Sequence, residues 1–261
     1  MLALIAGQGE LPKILVDALD AKPLVACLEG FLPSNVKPDI QFRLETLGTL
    51  LIDLKGHGVT DVCFAGAIAR PSVDPSLIDA ATAPLVPRIG AALQAGDDGA
   101  LRTVIEIFEE NGLTVLGAAD IAPGLLPSSG VPTQRKPDDR NQRDAVRAAE
   151  ICVALGKLDL GQSCVVRNGQ ALGLEALPGT DHMIETVARA DLGGGGILFK
   201  ALKPGQERRI DMPVVGKQTV VQCSKAGLDG IVIEADGVMV LDVDGFIEAS
   251  NELGLFVWVR E

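Results

Sequence analysis

Residues 200–219 concentrate side chains that could perform phosphate chemistry. The run places basic and acidic residues close together in the sequence: Lys200, Lys203, Glu207, Arg208, Arg209 and Asp211. Arginine binds phosphate oxygens through two parallel donors, and lysine binds them as a point charge. A carboxylate among such groups would repel a phosphate unless it bound a metal ion or took a proton from water. A solvated, salt-bridged surface loop is the alternative, since mixed-charge runs also form such loops.

Proline and glycine residues on both sides predict that Asp211 lies on a loop of fixed shape. Pro204 and Gly205 precede it, and residues 213–216 follow it as Pro-Val-Val-Gly. Such residues interrupt helices and strands. Helical signals resume at Lys217. The run therefore predicts an acidic residue that a rigid loop presents among basic side chains.

The beginning of the chain is a second candidate for a ligand site. Residues 2–6 are apolar and predict a buried strand, and Gly7 and Gly9 predict a tight turn after it. Pro12 suits the first turn of a helix. A strand, a glycine turn and a helix N-terminus direct several backbone N–H groups to one place, which favours an anion. The pattern therefore predicts a nucleotide or a sugar bound near Gly7 and Gly9.

The same region is close to a dinucleotide-binding fingerprint. A second predicted strand, residues 23–28, ends at Glu29, so an acidic residue follows the first glycine at roughly the spacing that the fingerprint requires. The third glycine of the fingerprint is missing, because Pro12 occupies its place. This departure argues against a nicotinamide or flavin cofactor.

Arg70 and a pair of carboxylates are further candidates. Arg70 follows a predicted strand, Asp61–Ala65, and open α/β sheets bind ligands at the carboxyl ends of their strands. A surface arginine in a loop is the alternative. Asp97 and Asp98 precede a predicted helix and could cap it or bind a cation, and capping is the commoner role.

The composition limits the class of protein. The chain has 261 residues, of which 47% are apolar, and its net charge is -12. It can therefore bury a sizeable core, while its acidic surface and its lack of tyrosine argue against a nucleic-acid partner. The five cysteines stand singly, which predicts buried, reduced thiols in a cytoplasmic protein. No apolar run has the roughly 18 residues that a membrane span needs.

The order of the predicted elements indicates an α/β protein of two domains. Residues 117–139 are rich in proline and glycine, which predicts a linker between a domain at residues 1–130 and a domain at residues 138–261. Alternating strands and helices make the first domain Rossmann-like. In the second, Asn168-Gly169 and Asp236-Gly237 each predict a hairpin, among helices and further strands of a mixed sheet.

Several short phrases, taken in order, resemble one known family. They are residues 6–12, 64–71, 96–98 with Leu101-Arg102, 158–162, Glu175 with 179–181, Lys203-Pro204 with 206–213, and 226–231. From end to end, the chain resembles the LpxI-type UDP-2,3-diacylglucosamine diphosphatases of lipid A biosynthesis. A run of four glycines, residues 193–196, stands where a more ordinary connection from a helix to a strand is expected.

The resemblance implies an activity, a cofactor and a set of site residues. The family uses Mg²⁺ to hydrolyse UDP-2,3-diacylglucosamine to UMP and 2,3-diacylglucosamine 1-phosphate, in a lipid chamber between two α/β domains. Asp211 matches the family's catalytic aspartate, which could hold the metal ion, orient water or do both. Asp211, Asp181 and Glu175 are the candidate metal ligands, although Asp181 could also be an ordinary helix N-cap. The expected substrate-binding residues are Gly7, Gly9, Arg70, Gln162, Thr180, Lys200, Lys203 and Arg209.

The resemblance also implies where the protein acts and what else it could be. We expect a cytoplasmic protein in transient contact with the inner face of the inner membrane, and a homodimer is left open. A nucleotide-sugar or dinucleotide binding protein without hydrolase activity is the alternative that the glycine turn favours. A scaffold protein, whose charged loop is only surface, is the remaining one.

Overall fold

The chain folds into two compact units that are not continuous in sequence. The computed structural model describes residues 1–69, 71–94, 97–190 and 192–261, without the side chains of Leu93, Asp97 and Asp98. The first unit contains residues 1–123 and 207–211, and the second contains residues 124–206 and 212–261. The segment Glu207–Asp211 therefore belongs by its contacts to the first unit, although the domain predicted for residues 138–261 includes it.

The first unit is built on a parallel sheet of five strands. The strands are β1 Leu2–Ala6, β2 Leu24–Leu28, β3 Ile40–Phe42, β4 Asp61–Ala65 and β5 Thr114–Leu116, in the order β3-β2-β1-β4-β5. The helices are α1 Leu11–Ala18, α2 Leu47–Gly56, α3 Val86–Gln94, α4 Asp97–Glu110 and α5 Ala118–Ile121. This order confirms the Rossmann-like prediction, because two crossovers build one half of the sheet before the chain continues on the other side of β1.

Both faces of the first sheet are covered, which explains why its strands are apolar at consecutive positions. Ala3 and Ile5 of β1 belong to a cluster with helices α2 and α4, while Leu4 and Ala6 are also buried. A sheet that is solvated on one face would instead alternate apolar and polar residues. In α2, four leucines with helical spacing line the buried side: Leu47, Leu50, Leu51 and Leu54.

The second unit contains a mixed sheet of five strands. They are β6 Ser163–Arg167, β7 Gln170–Leu174, β8 Ile197–Lys200, β10 Gly230–Glu234 and β12 Phe256–Arg260, in the order β12-β10-β8-β6-β7. A two-stranded sheet pairs β9 Val214–Val215 with β11 Met239–Val240. The helices are α6 Asp139–Lys157, α7 Gly179–Arg189, α8 Lys217–Lys225 and α9 Val243–Glu252. The α/β class of this half is confirmed.

Alternate residues of the central strands in the second unit enter two separate cores. Leu198 of β8 packs in a cluster with α7, α8 and α9, whereas Phe199 packs in a cluster with α6. Side chains along a strand point to opposite faces, so α6 covers one face of the sheet and the other three helices cover the opposite face. Parallel pairing of β8, β10 and β12 depends on these covering helices.

One of the two predicted hairpins is confirmed and the other is wrong. Strands β6 and β7 pair antiparallel around Asn168 and Gly169, which have the positive φ angles of 51° and 74° that a tight hairpin turn needs. The chain also turns after β10 at Asp236 and Gly237, but β11 does not return along β10. Both edges of β10 are already paired, with β8 and β12, so β11 pairs with β9 instead.

The cysteines are buried and free, which confirms that part of the prediction. Burial raises the pKa of the Cys63 thiol to about 12, with a further contribution from the charge of Asp120. Cys152 and Cys164 lie on either side of the interface between α6 and β6, with 3.7 Å between their sulfur atoms. A thiol with a raised pKa is a poor nucleophile, so Cys63 acts as a core residue. Cys152 and Cys164 are buried in the cluster between α6 and the sheet and act as core residues too.

No helix in the described part of the chain combines the length and the apolar character that crossing a bilayer requires.

Candidate active site

In the first unit, the glycine turn lies at the point where the strand order reverses. β1 lies between β2 and β4 in the sheet, and the loops that leave β1 and β4 are hydrogen-bonded to each other. The N–H group of Gly7 donates to the carbonyl of Ala65 at 2.8 Å, and Gln8 and Ala67 exchange backbone hydrogen bonds of 2.9 and 2.8 Å. Open α/β sheets bind ligands in the crevice at such a switch point.

Close backbone approach explains why glycine is present at this turn. A Cβ atom on Gly7 would lie 2.6 Å from the carbonyl oxygen of Ala67. Gly9 has a φ angle of 98°, which L side chains rarely adopt. Helix α1 begins two residues later, with Pro12 in its first turn. The elements predicted for this site are therefore present, while Arg70, which follows the loop after β4, lies outside the described residues.

The segment Glu207–Asp211 is a turn held by an arginine between two carboxylates. The N–H groups of Ile210 and Asp211 donate to the carbonyl of Glu207, at 3.4 and 3.1 Å. The guanidinium of Arg209 donates to both carboxylate oxygens of Glu207, each at 2.9 Å, and to Glu109 of α4 at 2.6 Å. These bonds fix the shape of the segment, as the sequence predicts for the loop that carries Asp211.

The electrostatics of this segment follow from the same contacts. The Arg209 guanidinium holds the pKa of the Glu207 carboxyl below its usual range, although partial burial opposes the effect. The two carboxylates in turn raise the pKa of Arg209. Ile210 packs against the core of the first unit and Asp211 is half-buried. Asp211 therefore lies at the end of a turn that is fixed by backbone hydrogen bonds to Glu207, by the ion pairs of Arg209 and by the packing of Ile210.

In the second unit, Lys200, Thr180 and Glu175 form a buried chain of hydrogen bonds. Lys200, the last residue of β8, donates from Nζ to Oγ1 of Thr180 at 2.9 Å, and the Thr180 hydroxyl donates to Oε1 of Glu175 at 3.1 Å. All three residues are at most 9% exposed. Ser163 adds a longer contact of 3.5 Å to the Thr180 hydroxyl. A lysine among the predicted phosphate ligands is thus held close to a predicted metal ligand.

The remaining predicted residues of the second unit lie around this chain or on the loop that follows it. The N–H group of Gln162 donates to Oε2 of Glu175 at 3.3 Å. Lys203 forms an ion pair with Asp159 at 2.8 Å, and its N–H group donates to the buried side chain of Gln206. Asp181 is exposed in the first turn of α7.

The alternative role of Asp181 as an N-cap is wrong. Helix α7 begins at Gly179 and its N-cap is Pro178, so Asp181 lies inside the first turn. A negative charge at this place still stabilises the helix dipole.

Carboxylates of the described residues do not gather into an all-protein metal cage. No three His, Cys, Asp or Glu side chains in that part of the chain are placed to hold one ion together. Magnesium is usually bound by one or two carboxylates together with the phosphates of a substrate. A single half-buried carboxylate such as Asp211 fits that mode, and so the donor chemistry is compatible with Mg²⁺.

The comparisons with known proteins decide the family. The model of the LpxI N-terminal domain matches residues 1–125, and that of the LpxI C-terminal domain matches residues 128–258. The chain belongs to the LpxI family. One LpxI relative, the UDP-2,3-diacylglucosamine pyrophosphatase LpxI of Caulobacter vibrioides, is 34% identical over 268 residues, which cover 98% of this chain and 96% of the relative. The resemblance seen in the sequence phrases is thereby confirmed.

Sequence reasoning missed three residues that shape these LpxI site regions. Glu109 holds Arg209 across a separation of 100 residues, Ser163 lies beside Thr180, and Asp159 pairs with Lys203. Asp159 lies within the phrase 158–162 that carried part of the resemblance, which was a usable signal. Glu109 is one of several acids on a helix surface, and nothing in its local sequence marks it.

Proposed function

We propose that this chain hydrolyses the pyrophosphate bond of UDP-2,3-diacylglucosamine, which yields UMP and 2,3-diacylglucosamine 1-phosphate for lipid A biosynthesis. The observation that carries the proposal is the match of both LpxI domains along nearly the whole chain. The relative from Caulobacter vibrioides, named as a UDP-2,3-diacylglucosamine pyrophosphatase, supports it. Basic side chains and a fixed acidic turn are the groups that such a reaction requires.

In this reaction, water adds to one phosphorus while the bond from that phosphorus to the bridging oxygen breaks. The bridging oxygen leaves on the other phosphate, so that two monoesters form. We assign Asp211 to orienting the attacking water or to holding the metal ion, since its loop is fixed and its side chain is half-buried. Lys200, Lys203 and Arg209 would neutralise charge on the phosphate oxygens.

Mg²⁺ is the proposed cofactor. Asp211 is the first candidate to hold it, with Asp181 and Glu175 as the other predicted ligands. A bound Mg²⁺ would neutralise negative charge on the phosphate oxygens. The chain's own contribution is to place a hard oxygen ligand on an anchored turn, since the Arg209 contacts with Glu207 and Glu109 fix that turn.

Each unit contains proposed binding residues of its own. In the first unit, Gly7 and Gly9 would bind part of the substrate at the switch point of the sheet, together with Arg70. In the second unit, Gln162 and Thr180 border the buried lysine and are proposed to bind the substrate there. The lipid chamber that the resemblance implies stays a prediction.

Exposed leucines support a transient contact with a membrane surface. Four of them lie between α6 and β6, at the end of β7 or between β7 and α7, and each is at least half exposed: Leu158, Leu160, Leu174 and Leu177. Leu177 is the most exposed of the four, at 94%. We propose that these side chains touch the inner membrane from the cytoplasmic side, while the net charge of -12 keeps the contact brief on an anionic surface. The homodimer stays a prediction.

The proposal is tested by incubating the purified protein with Mg²⁺ and UDP-2,3-diacylglucosamine and measuring UMP. We expect release of UMP and 2,3-diacylglucosamine 1-phosphate in equal amounts. UDP-glucosamine without acyl chains is the matched substrate, and we expect a far lower kcat/KM, because each buried CH₂ contributes about 0.8 kcal/mol. Equal kcat/KM for both would indicate a general nucleotide-sugar pyrophosphatase. Binding of the nucleotide without UMP release would indicate a binding protein.

A further inference from the structure

In the buried chain from Lys200 to Glu175, the chemistry of the three groups determines which one donates and which one accepts each hydrogen bond. The ammonium of Lys200 carries only donors, and the carboxylate of Glu175, when ionised, carries only acceptors. The Thr180 hydroxyl between them accepts from Lys200 at 2.9 Å and donates to Glu175 at 3.1 Å. A single hydroxyl thus connects a buried cation to a buried anion.

Backbone contacts fix the position of Glu175 independently of Lys200. The N–H group of Glu175 donates to the carbonyl of Ser163 at 3.0 Å, and the N–H group of Gln162 donates to the Glu175 carboxylate at 3.3 Å. A Cβ atom on Gly161 would collide with the carbonyl oxygen of Glu175, so only glycine permits this approach. Glu175 is therefore anchored to the start of β6.

The energetics explain why such a chain is needed. Burying a lone ammonium or a lone carboxylate is costly, and the cost falls when the charges are connected by hydrogen bonds. Linked hydrogen bonds in a region of low dielectric constant also strengthen one another. Lys200 is 7% exposed and Glu175 is 9% exposed, so both charged groups are buried and the hydrogen bonds through Thr180 lower the cost of burying them.

We propose that Glu175 is a positioning residue, which acts through Thr180 to hold the Lys200 ammonium in place as a phosphate-neutralising group. This inference rests on the proposed function. It gives Glu175 a different role from that of a metal ligand, since Oε1 accepts a hydrogen bond from Thr180 and Oε2 accepts one from Gln162. Loss of the carboxylate charge would weaken the Thr180 contact that positions Lys200, rather than remove a ligand of Mg²⁺.

A double-mutant cycle on Glu175→Gln and Lys200→Met tests this inference, with UDP-2,3-diacylglucosamine as the substrate. We expect Lys200→Met to lower kcat/KM about a hundredfold and Glu175→Gln about tenfold. The double variant should equal Lys200→Met within about threefold, because Glu175 has no effect once Lys200 is gone. Additive losses, or a Glu175→Gln variant with wild-type kcat/KM, would overturn the inference.

Controls separate positioning from a structural role and from metal binding. Glu185→Gln changes an exposed carboxylate on α7 and should leave kcat/KM unchanged. If Glu175→Gln does not fold, Thr180→Val interrupts the same chain, and Thr180→Ser should restore most of the activity because it keeps the hydroxyl. A defect of Glu175→Gln that excess Mg²⁺ repairs would identify Glu175 as a metal ligand and overturn the inference.

The same cycle is measured by binding of inorganic pyrophosphate, with calorimetry on the full chain. This readout does not depend on turnover, so it separates the two proposals. A wild-type protein that releases no UMP, but whose binding cycle is non-additive, would refute the proposed function and support the role of Glu175. If the protein releases UMP but both cycles are additive, the proposed function is supported and the positioning role of Glu175 is refuted.

Discussion

At the scale of single residues, Asp211 is the position on which the proposed chemistry depends. Its turn is anchored by backbone bonds to the Glu207 carbonyl and by the ion pairs of Arg209. We expect Asp211→Ala to lower kcat at least a hundredfold, because a positioned acid or base contributes about 10²–10⁴-fold. Asp53→Ala, which changes an exposed carboxylate of α2 in the same unit, is the control and should keep full activity.

The measurement is UMP release, with thermal unfolding of each variant. Retention of more than about a tenth of the wild-type rate would contradict a catalytic role for Asp211. A variant without a cooperative unfolding transition would indicate instead that Asp211 is needed for folding.

Residue types and spacing were enough to single out candidate residues for the proposed site. The basic residues and Asp211 in the run 200–219 were recognisable because phosphate chemistry limits the suitable side chains. Partners at long separation were not predictable. Glu109 contacts Arg209 only because the segment Glu207–Asp211 packs in the first unit, and periodicity carries no information on such a contact.

At the scale of secondary-structure elements, the contact between the loops after β1 and β4 depends on a missing side chain at Gly7. We expect Gly7→Ala to destabilise the fold by about 1–3 kcal/mol, because its Cβ would lie 2.6 Å from the carbonyl oxygen of Ala67. The thermal midpoint should fall by roughly 3–10 °C. Gly56→Ala in α2 is the matched control, since a Cβ there meets nothing within 4 Å and alanine favours a helix. Equal midpoints for Gly7→Ala and the wild type would contradict the close approach.

A second prediction concerns the connection of α6, β8 and β10 through Asp229. Burial alone would raise the pKa of Asp229, but the N–H group of Gly196 and the side chains of Arg135 and Asn141 lower it below its usual range. A lowered carboxyl pKa in the folded state stabilises the protein at pH values above the unfolded pKa of about 3.9, and this stabilisation disappears as the pH falls through the folded value.

The test compares urea unfolding of the wild type and Asp229→Asn from pH 7 to pH 2. At pH 7, we expect Asp229→Asn to lower the free energy of unfolding by about 1–3 kcal/mol, because hydrogen bonds to a charged group are lost. The difference should shrink below about pH 4. Glu248→Gln, an exposed change on α9, should follow the wild type at every pH. A difference independent of pH would show that the charge of Asp229 contributes nothing.

Long, strongly patterned elements were predictable and short ones were not. Apolar runs predicted β1 and β4 directly, and the spacing of the leucines predicted α2. Strands β3 and β9 have only three and two residues, so neither has enough length to show a period. The Asp236-Gly237 pair correctly marked a turn, but the partner of β11 depended on the fact that β8 and β12 already flank β10.

At the scale of the whole molecule, the strongly acidic chain must bind a substrate that is itself anionic. The net charge of -12 opposes a pyrophosphate unless local cations compensate for it. We therefore expect hydrolysis to require a divalent cation, with Mg²⁺ sufficient. Treatment with excess EDTA should abolish UMP release, and added Mg²⁺ should restore it. Undiminished activity in a protein shown by elemental analysis to hold no metal would contradict this expectation.

Composition and the order of elements predicted two domains of the α/β class. They did not predict that residues 207–211 belong to the first unit. The shift to proline and glycine after residue 117 indicated a connection, and the units divide at residue 123 within it. The return of residues 207–211 to the first unit depends on tertiary packing, such as that of Ile210 on the core of that unit. The local sequence pattern of residues 207–211 does not indicate in which unit the segment packs.

That return has a consequence for the order in which the protein matures on the ribosome. The strands and helices of the first unit are synthesised by residue 123, yet the unit lacks the turn that carries Asp211 until residue 211 has left the ribosome. At about 5–20 residues per second, this delay is on the order of ten seconds. The nascent first unit therefore lacks this turn while most of the second unit is translated. Asp211, the acid at the centre of the proposed chemistry, is added to the first unit after its strands and helices have been synthesised.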